Sequence, residues 1–162
     1  MNESRVSVVH VRVTSDRAFA DVRAAIEGRL GHFDPHATQS LASGGEPTAV
    51  RARIEAMAGP SGFMLFTTTD HGTLLRLVGQ QRRAVQLVIG NPLFAVEMTR
   101  YAIGAALYAP LRVLIYEAGD GKTCIEYDRP TALFGQFGDP RVDKIAAALD
   151  KKLADLVAAA AG

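Results

Sequence analysis

Two apolar runs, LRVLIYE from Leu111 to Glu117 and KTCIEYD from Lys122 to Asp128, are separated only by Ala-Gly-Asp-Gly. Asp-Gly between two β-branched and aromatic runs marks a tight reversal, so the spacing predicts an antiparallel hairpin. A hairpin is not stable alone, and the rest of the chain must supply both further strands and a cover for its apolar face. Further strands are predicted from Arg5 to Val13, where Val9, Val11 and Val13 alternate with His10 and Arg12, and from Phe63 to Thr69 and Val85 to Ile89, which are short apolar runs.

The cover is written in helical periods. Phe19, Val22, Ile26 and Leu30 recur every three or four residues after Ser15 or Asp16, either of which can cap, and Gly31 ends the pattern. The segment HFDPHATQSLASGG reads as loop. Pro47 then opens a helix with Val50, Ile54 and Met57 inward, stopped by Gly59-Pro60. After Asp70, the residues Leu74, Leu77 and Val78 fall at helical spacing before Gly79. In Gly90-Asn91-Pro92 the asparagine caps and the proline begins a helix that runs to about Gly104. Asp139-Pro140 repeats that device ahead of a long helix whose stripe is Val142, Ile145, Leu149, Leu153 and Leu156. Strands and helices interleave without a linker or repeat. The expectation is one α+β domain over residues 1–162, a single mixed sheet of about five strands with helices packed on one face and a long C-terminal helix.

Charge and composition narrow the function. Eighteen Lys and Arg against seventeen Asp and Glu give a net charge of +1, with no basic stripe for phosphates, so no nucleic-acid partner is expected. The single Cys124 excludes an internal disulfide and fits a reducing compartment. The alternating N-terminus lacks the pattern of a signal peptide, and Glu97, Arg100 and Pro110 interrupt the one long apolar region. The expectation is a cytoplasmic protein with no membrane partner and no cofactor.

Two junctions stand out as candidate ligand-binding residues: Asp70-His71 and Gly90-Asn91-Pro92, each where a strand feeds a helix. If the two strands are parallel neighbours, both helix N-termini open on one cleft, and their free amides suit a small molecule, an anion among the candidates. The plain alternative is that Asp70 is a cap and His71 a half-exposed first-turn residue. Adjacent Asp and His at a helix start point in different directions, so His71 needs a partner from another element, Glu126 or Glu97, to act as a general base. A metal or haem ligand at His71, His10 or Cys124 is a further reading. His32 and His36 have the spacing of two ligands on a helix face, but Pro35 lies between them and forbids the helix interior which that spacing presumes. No P-loop, dinucleotide fingerprint, nucleophile elbow or paired-cysteine metal motif is present.

Taken together, Asp70-His71 after an apolar strand, Val88-Ile89-Gly90-Asn91-Pro92, Pro110 ahead of a strand ending in Tyr116-Glu117, and then Gly121, Thr123, Tyr127 and Pro130 resemble a bacterial and archaeal family known as domain of unknown function three hundred and two. The match covers about Val50 to Pro130. It divides the chain into an N-terminal extension of strand, helix and loop at 1–45, a family core at 46–130 and a C-terminal helix at 131–162. The resemblance implies a curved sheet like that of the TATA-binding-protein class, without implying DNA binding, and a homodimer. It carries no agreed activity. It implies Asp70, His71, Gly90, Asn91 and Pro92 as the site and no more. The leading expectation is a binding or accessory domain for a small molecule, not catalytic, with its pocket under Leu93, Phe94 and Tyr101.

Overall fold

The computed structural model describes residues 3–162, so Met1 and Asn2 of the alternating N-terminal stretch lie outside the described residues. Six strands form one sheet in the order β1-β6-β5-β4-β3-β2. They are β1 (His10–Ser15), β2 (Gly31–His32), β3 (Met64–Asp70), β4 (Ala84–Gly90), β5 (Leu111–Glu117) and β6 (Thr123–Asp128). Only β2 and β3 run parallel; every other pair is antiparallel, so the sheet is mixed.

The predicted hairpin is β5–β6, with Val113 opposite Tyr127 and Ile115 opposite Ile125. Period-2 alternation sends Val85, Leu87 and Ile89 of β4, Val113 and Ile115 of β5 and Ile125 of β6 to one face, where all are buried. Two helices cover that face. One is α1 (Phe19–Glu27), burying Phe19, Val22 and Ile26, and the other is the long C-terminal helix (Pro140–Ala161), burying Val142, Leu149, Leu153 and Leu156. Among the described residues five further α-helices, each shorter than the C-terminal one, stand between them in the chain. The C-terminal helix is started as the sequence predicts: Asp139 accepts from the Arg141 N–H at 2.9 Å and Pro140 occupies the first turn. A satellite cluster of Ala37, Val50, Ile54 and Met64 sits under α3 (Pro47–Ala56), which follows a short α2 (Gln39–Ala42).

Four local expectations are corrected. The sixth strand, β2, lies at the head of the segment read as loop; two residues are too few to show alternation, and Gly31 qualifies because a Cβ there would stand 1.7 Å from the Met57 carbonyl oxygen. Ser15 is no helix cap: it ends β1, is 3% exposed, and its hydroxyl donates to the Ala161 carbonyl. Helix α1 follows Ala18, at the N-cap, without a side-chain cap, and its C-cap is Gly28, not Gly31. Finally, the helical spacing of Leu74, Leu77 and Val78 buries nothing, since these side chains are 55%, 85% and 71% exposed.

Candidate functional site

The two junctions fold locally as the residue types dictate. Asp70 caps α4 (His71–Leu75), accepting from the Thr73 N–H at 2.9 Å with one oxygen and from the Thr73 hydroxyl at 2.8 Å with the other. These two bonds, backbone first, hold its carboxyl below the usual range. Asn91 caps α5 (Pro92–Thr99): its Oδ1 accepts from the Leu93 N–H at 2.9 Å, and its Nδ2 donates to the Gly62 carbonyl at 3.0 Å.

The junctions do not share a cleft. Strands β3 and β4 are antiparallel, so Asp70 stands opposite Val85 while Gly90 stands opposite Met64, at the other end of the pair. Six residues of strand at about 3.4 Å each put them on the order of 20 Å apart. The physical reason is the connection: from His71 to Arg83 it holds one short helix and one 3-10 turn (Arg76–Val78), enough to reverse the chain but too little to cross the sheet face.

Gly90, Asn91 and Pro92 line a cavity of about 260 Å³, walled by Phe94, Ala95 and Met98 of α5, Ala109, Pro110 and Leu111 at the start of β5, and Phe134 and Leu149 beyond. Phe33, Phe63 and Phe66 complete it, so that five of the seven phenylalanines meet here and only Phe19 and Phe137 lie elsewhere. Phe33 and Phe66 stack with ring centroids 4.6 Å apart. Gly90 leaves the space open on one side: a Cβ there would meet Pro110 at 3.3 Å and Phe66 at 3.5 Å. Leu93 and Tyr101, expected over the pocket, are not in its wall: Leu93 packs on the satellite cluster, and the Tyr101 ring lies under the Arg141 guanidinium at 3.9 Å. No single window of sequence signals this cavity, because its phenylalanines come from separate elements.

His71 is not in the wall of this cavity and makes no side-chain hydrogen bond among the described residues. Its two proposed carboxylate partners are engaged elsewhere. Glu97 faces Arg51 and Arg100. Glu126 lies on the uncovered sheet face, where it accepts from Arg12, from the Tyr116 hydroxyl at 2.6 Å and from His10 at 3.1 Å. Burial pushes the Glu126 carboxyl upward, but the bonds from Tyr116, Arg12 and His10 outweigh it and leave the group below its ordinary range. Its hydrogen bond, and then burial, raise the Tyr116 phenol. His10 is raised by Asp128, 3.0 Å away, and then by Glu126. Cys124 is buried beside this group, with Sγ 4.0 Å from the Thr14 hydroxyl. Among the described residues no three His, Cys, Asp or Glu side chains are placed to hold a metal ion. Pro35 opens a 3-10 turn (Pro35–Thr38), so His32 on β2 and His36 do not share a helix face.

A mixed open sheet covered by helices on one face, with an apolar cavity where β4 hands over to α5, defines an α+β protein built around a concave apolar wall. The chain belongs to the family described as Domain of unknown function DUF302, whose model matches residues 39–160. Its fold is similar to that of an uncharacterized conserved protein DUF302 from Bacillus stearothermophilus, known from a crystal structure: the TM-score is 0.65 at 19% identity, over 93% of this chain and 97% of that one. No curated protein matches. Among the described residues no helix is long and apolar enough to cross a membrane.

Proposed function

We propose that the protein binds a small, largely apolar molecule in the cavity beside Gly90, Asn91 and Pro92, without itself being a catalyst. The observation that carries this reading is the convergence of Phe33, Phe63, Phe66, Phe94 and Phe134 with Met98, Leu111 and Leu149 on one space of about 260 Å³. Cavities that hold small molecules are concave, mostly apolar and supplied with a few polar groups. Here the polar contribution is the Gly90-Asn91-Pro92 turn, whose asparagine is already committed to Leu93 and Gly62 and so sets the shape of the wall rather than reading a charged group. Asp70 and His71 belong to the other end of the hairpin and have no part in this pocket.

The resemblance to a family whose fold often occurs as a homodimer supports reading the protein as a homodimer. So does the exposure of Ile103 and Leu107, 79% and 81% on the 3-10 turn after α5. Sedimentation equilibrium tests it, and a monomer at all concentrations refutes it.

A thermal-shift panel of medium-chain fatty acids, small aromatics and isoprenoid alcohols tests the cavity. A ligand at a hundred times its Kd raises stability by about 2.7 kcal/mol. Ala95→Leu, which places three further carbons into the wall, is expected to abolish the shift while the unliganded protein still melts cooperatively. A panel that shifts neither protein, or both equally, removes the reading.

A further inference from the structure

At the opposite end of the β3–β4 hairpin lies a second cavity, of about 370 Å³ and quite different chemistry. Arg23 of α1, Arg76 of the 3-10 turn and Arg82 and Arg83 of the return segment all line it, against two carboxylates, Asp70 and Glu117. Both carboxylates are already engaged. Asp70 gives one oxygen to the Thr73 N–H and the other to the Thr73 hydroxyl. Glu117 accepts from the Arg83 guanidinium and, at 3.3 Å, from the Arg83 N–H. Arg23 spends only its Nε, on Glu27 at 2.8 Å. Arg76 and Arg82 have neither an ion pair nor a side-chain hydrogen bond among the described residues.

The assembly is held by close backbone packing. Gly72 brings the first turn of α4 against the return segment so tightly that a Cβ would lie 2.5 Å from the Arg82 carbonyl oxygen and 2.9 Å from the Ala84 nitrogen. The α4 amides contribute no binding, since Asp70 already takes the Thr73 N–H. What remains is a concave surface with four guanidiniums against two committed carboxylates, and such a surface focuses positive potential. A guanidinium presents a planar fork of donors that matches a phosphate bidentately.

From this we infer that the cavity between α1, α4 and the Gln81–Arg83 segment is a binding site for a phosphate group, read principally by Arg76 and Arg82. The volume exceeds what one inorganic phosphate fills, so the ligand class is a phosphorylated small molecule or a phosphate headgroup. The second source is admitted by Leu77 and Val78, which stand exposed on the same connection. This site is separate from the apolar cavity, and neither reading depends on the other.

Calorimetric titration of the full chain with inorganic pyrophosphate at low ionic strength is the test. The expected result is saturable binding whose Kd rises at least tenfold in the double variant Arg76→Ala, Arg82→Ala. The unliganded melting temperature should stay unchanged, because neither side chain has a partner to lose. A second arm floats the protein with phosphatidylcholine vesicles, with and without phosphatidic acid. Capture by the acidic vesicles only, lost in the double variant, supports the site and assigns the phosphate to a lipid; pyrophosphate binding without capture assigns it to a soluble ligand. Absence of both, or binding that the double variant leaves intact, overturns the inference.

Discussion

The Asn91 side chain donates to the Gly62 carbonyl across 3.0 Å, tying the start of α5 to the loop that leads into β3. The same side chain caps α5 through its oxygen, so one residue both starts the helix and anchors it beside the apolar cavity. Asn91→Ala removes a cap and a half-buried hydrogen bond together. It is expected to lower the unfolding free energy by about 1–2 kcal/mol in urea titrations. A change within experimental error would mean that the tether carries no stability.

Gly72 is required by space rather than by backbone angle, because its neighbours are the main chain of Arg82 and Ala84 and cannot step aside. Gly72→Ala is expected to destabilise the protein by about 1–3 kcal/mol, the range for overpacking. The same variant should weaken pyrophosphate binding, since it displaces the segment that bears Arg82. Unchanged stability would show that the connection has slack.

His10 sits between Asp128 and Glu126 on the uncovered face of the sheet, and both raise its pKa. A raised histidine contributes stability fully below its unfolded pKa of about 6.5 and loses it as pH climbs through the folded value. The melting temperature of the wild type should therefore exceed that of His10→Gln by more at about pH 5.5 than at about pH 8.5. The gap is expected to be small, as the imidazole is about half exposed. A gap that grows toward alkaline pH would contradict the assignment.

Asp139 shows the opposite sign. The Arg141 side chain and then its N–H hold the Asp139 carboxyl down at about 2. A lowered carboxyl contributes above its unfolded pKa, near 4, and loses that contribution as pH falls through the folded value. The difference in melting temperature between the wild type and Asp139→Asn is expected to be constant above about pH 5 and to shrink toward about pH 2. A difference independent of pH would leave Asp139 as an uncharged cap only.

Much of the architecture was legible along the chain because local rules decide it. Ala-Gly-Asp-Gly and its flanking runs suffice for the β5–β6 hairpin, and the apolar stripes of α1 and the C-terminal helix name their own buried faces. Asp70, Asn91 and Asp139 are caps wherever the residue order says so. Local rules failed where burial decides. Leu74, Leu77 and Val78 keep helical spacing in the open, and β2 is a strand only because Phe63 and Leu65 lie beside it to accept from Gly31 and Phe33.

The candidate site divides along the same line. That Asp70 and Asn91 begin helices was settled by sequence alone, since each cap bond reaches only two or three residues along the chain. Which of them lie together was settled by the direction in which β4 returns beside β3, a property of sheet pairing that no residue at either junction encodes. Five phenylalanines on one wall and four arginines on another are products of that pairing. The phenylalanines come from separate elements and Arg23 from a helix far from Arg76, Arg82 and Arg83, and side-chain chemistry becomes a site only where packing makes it converge.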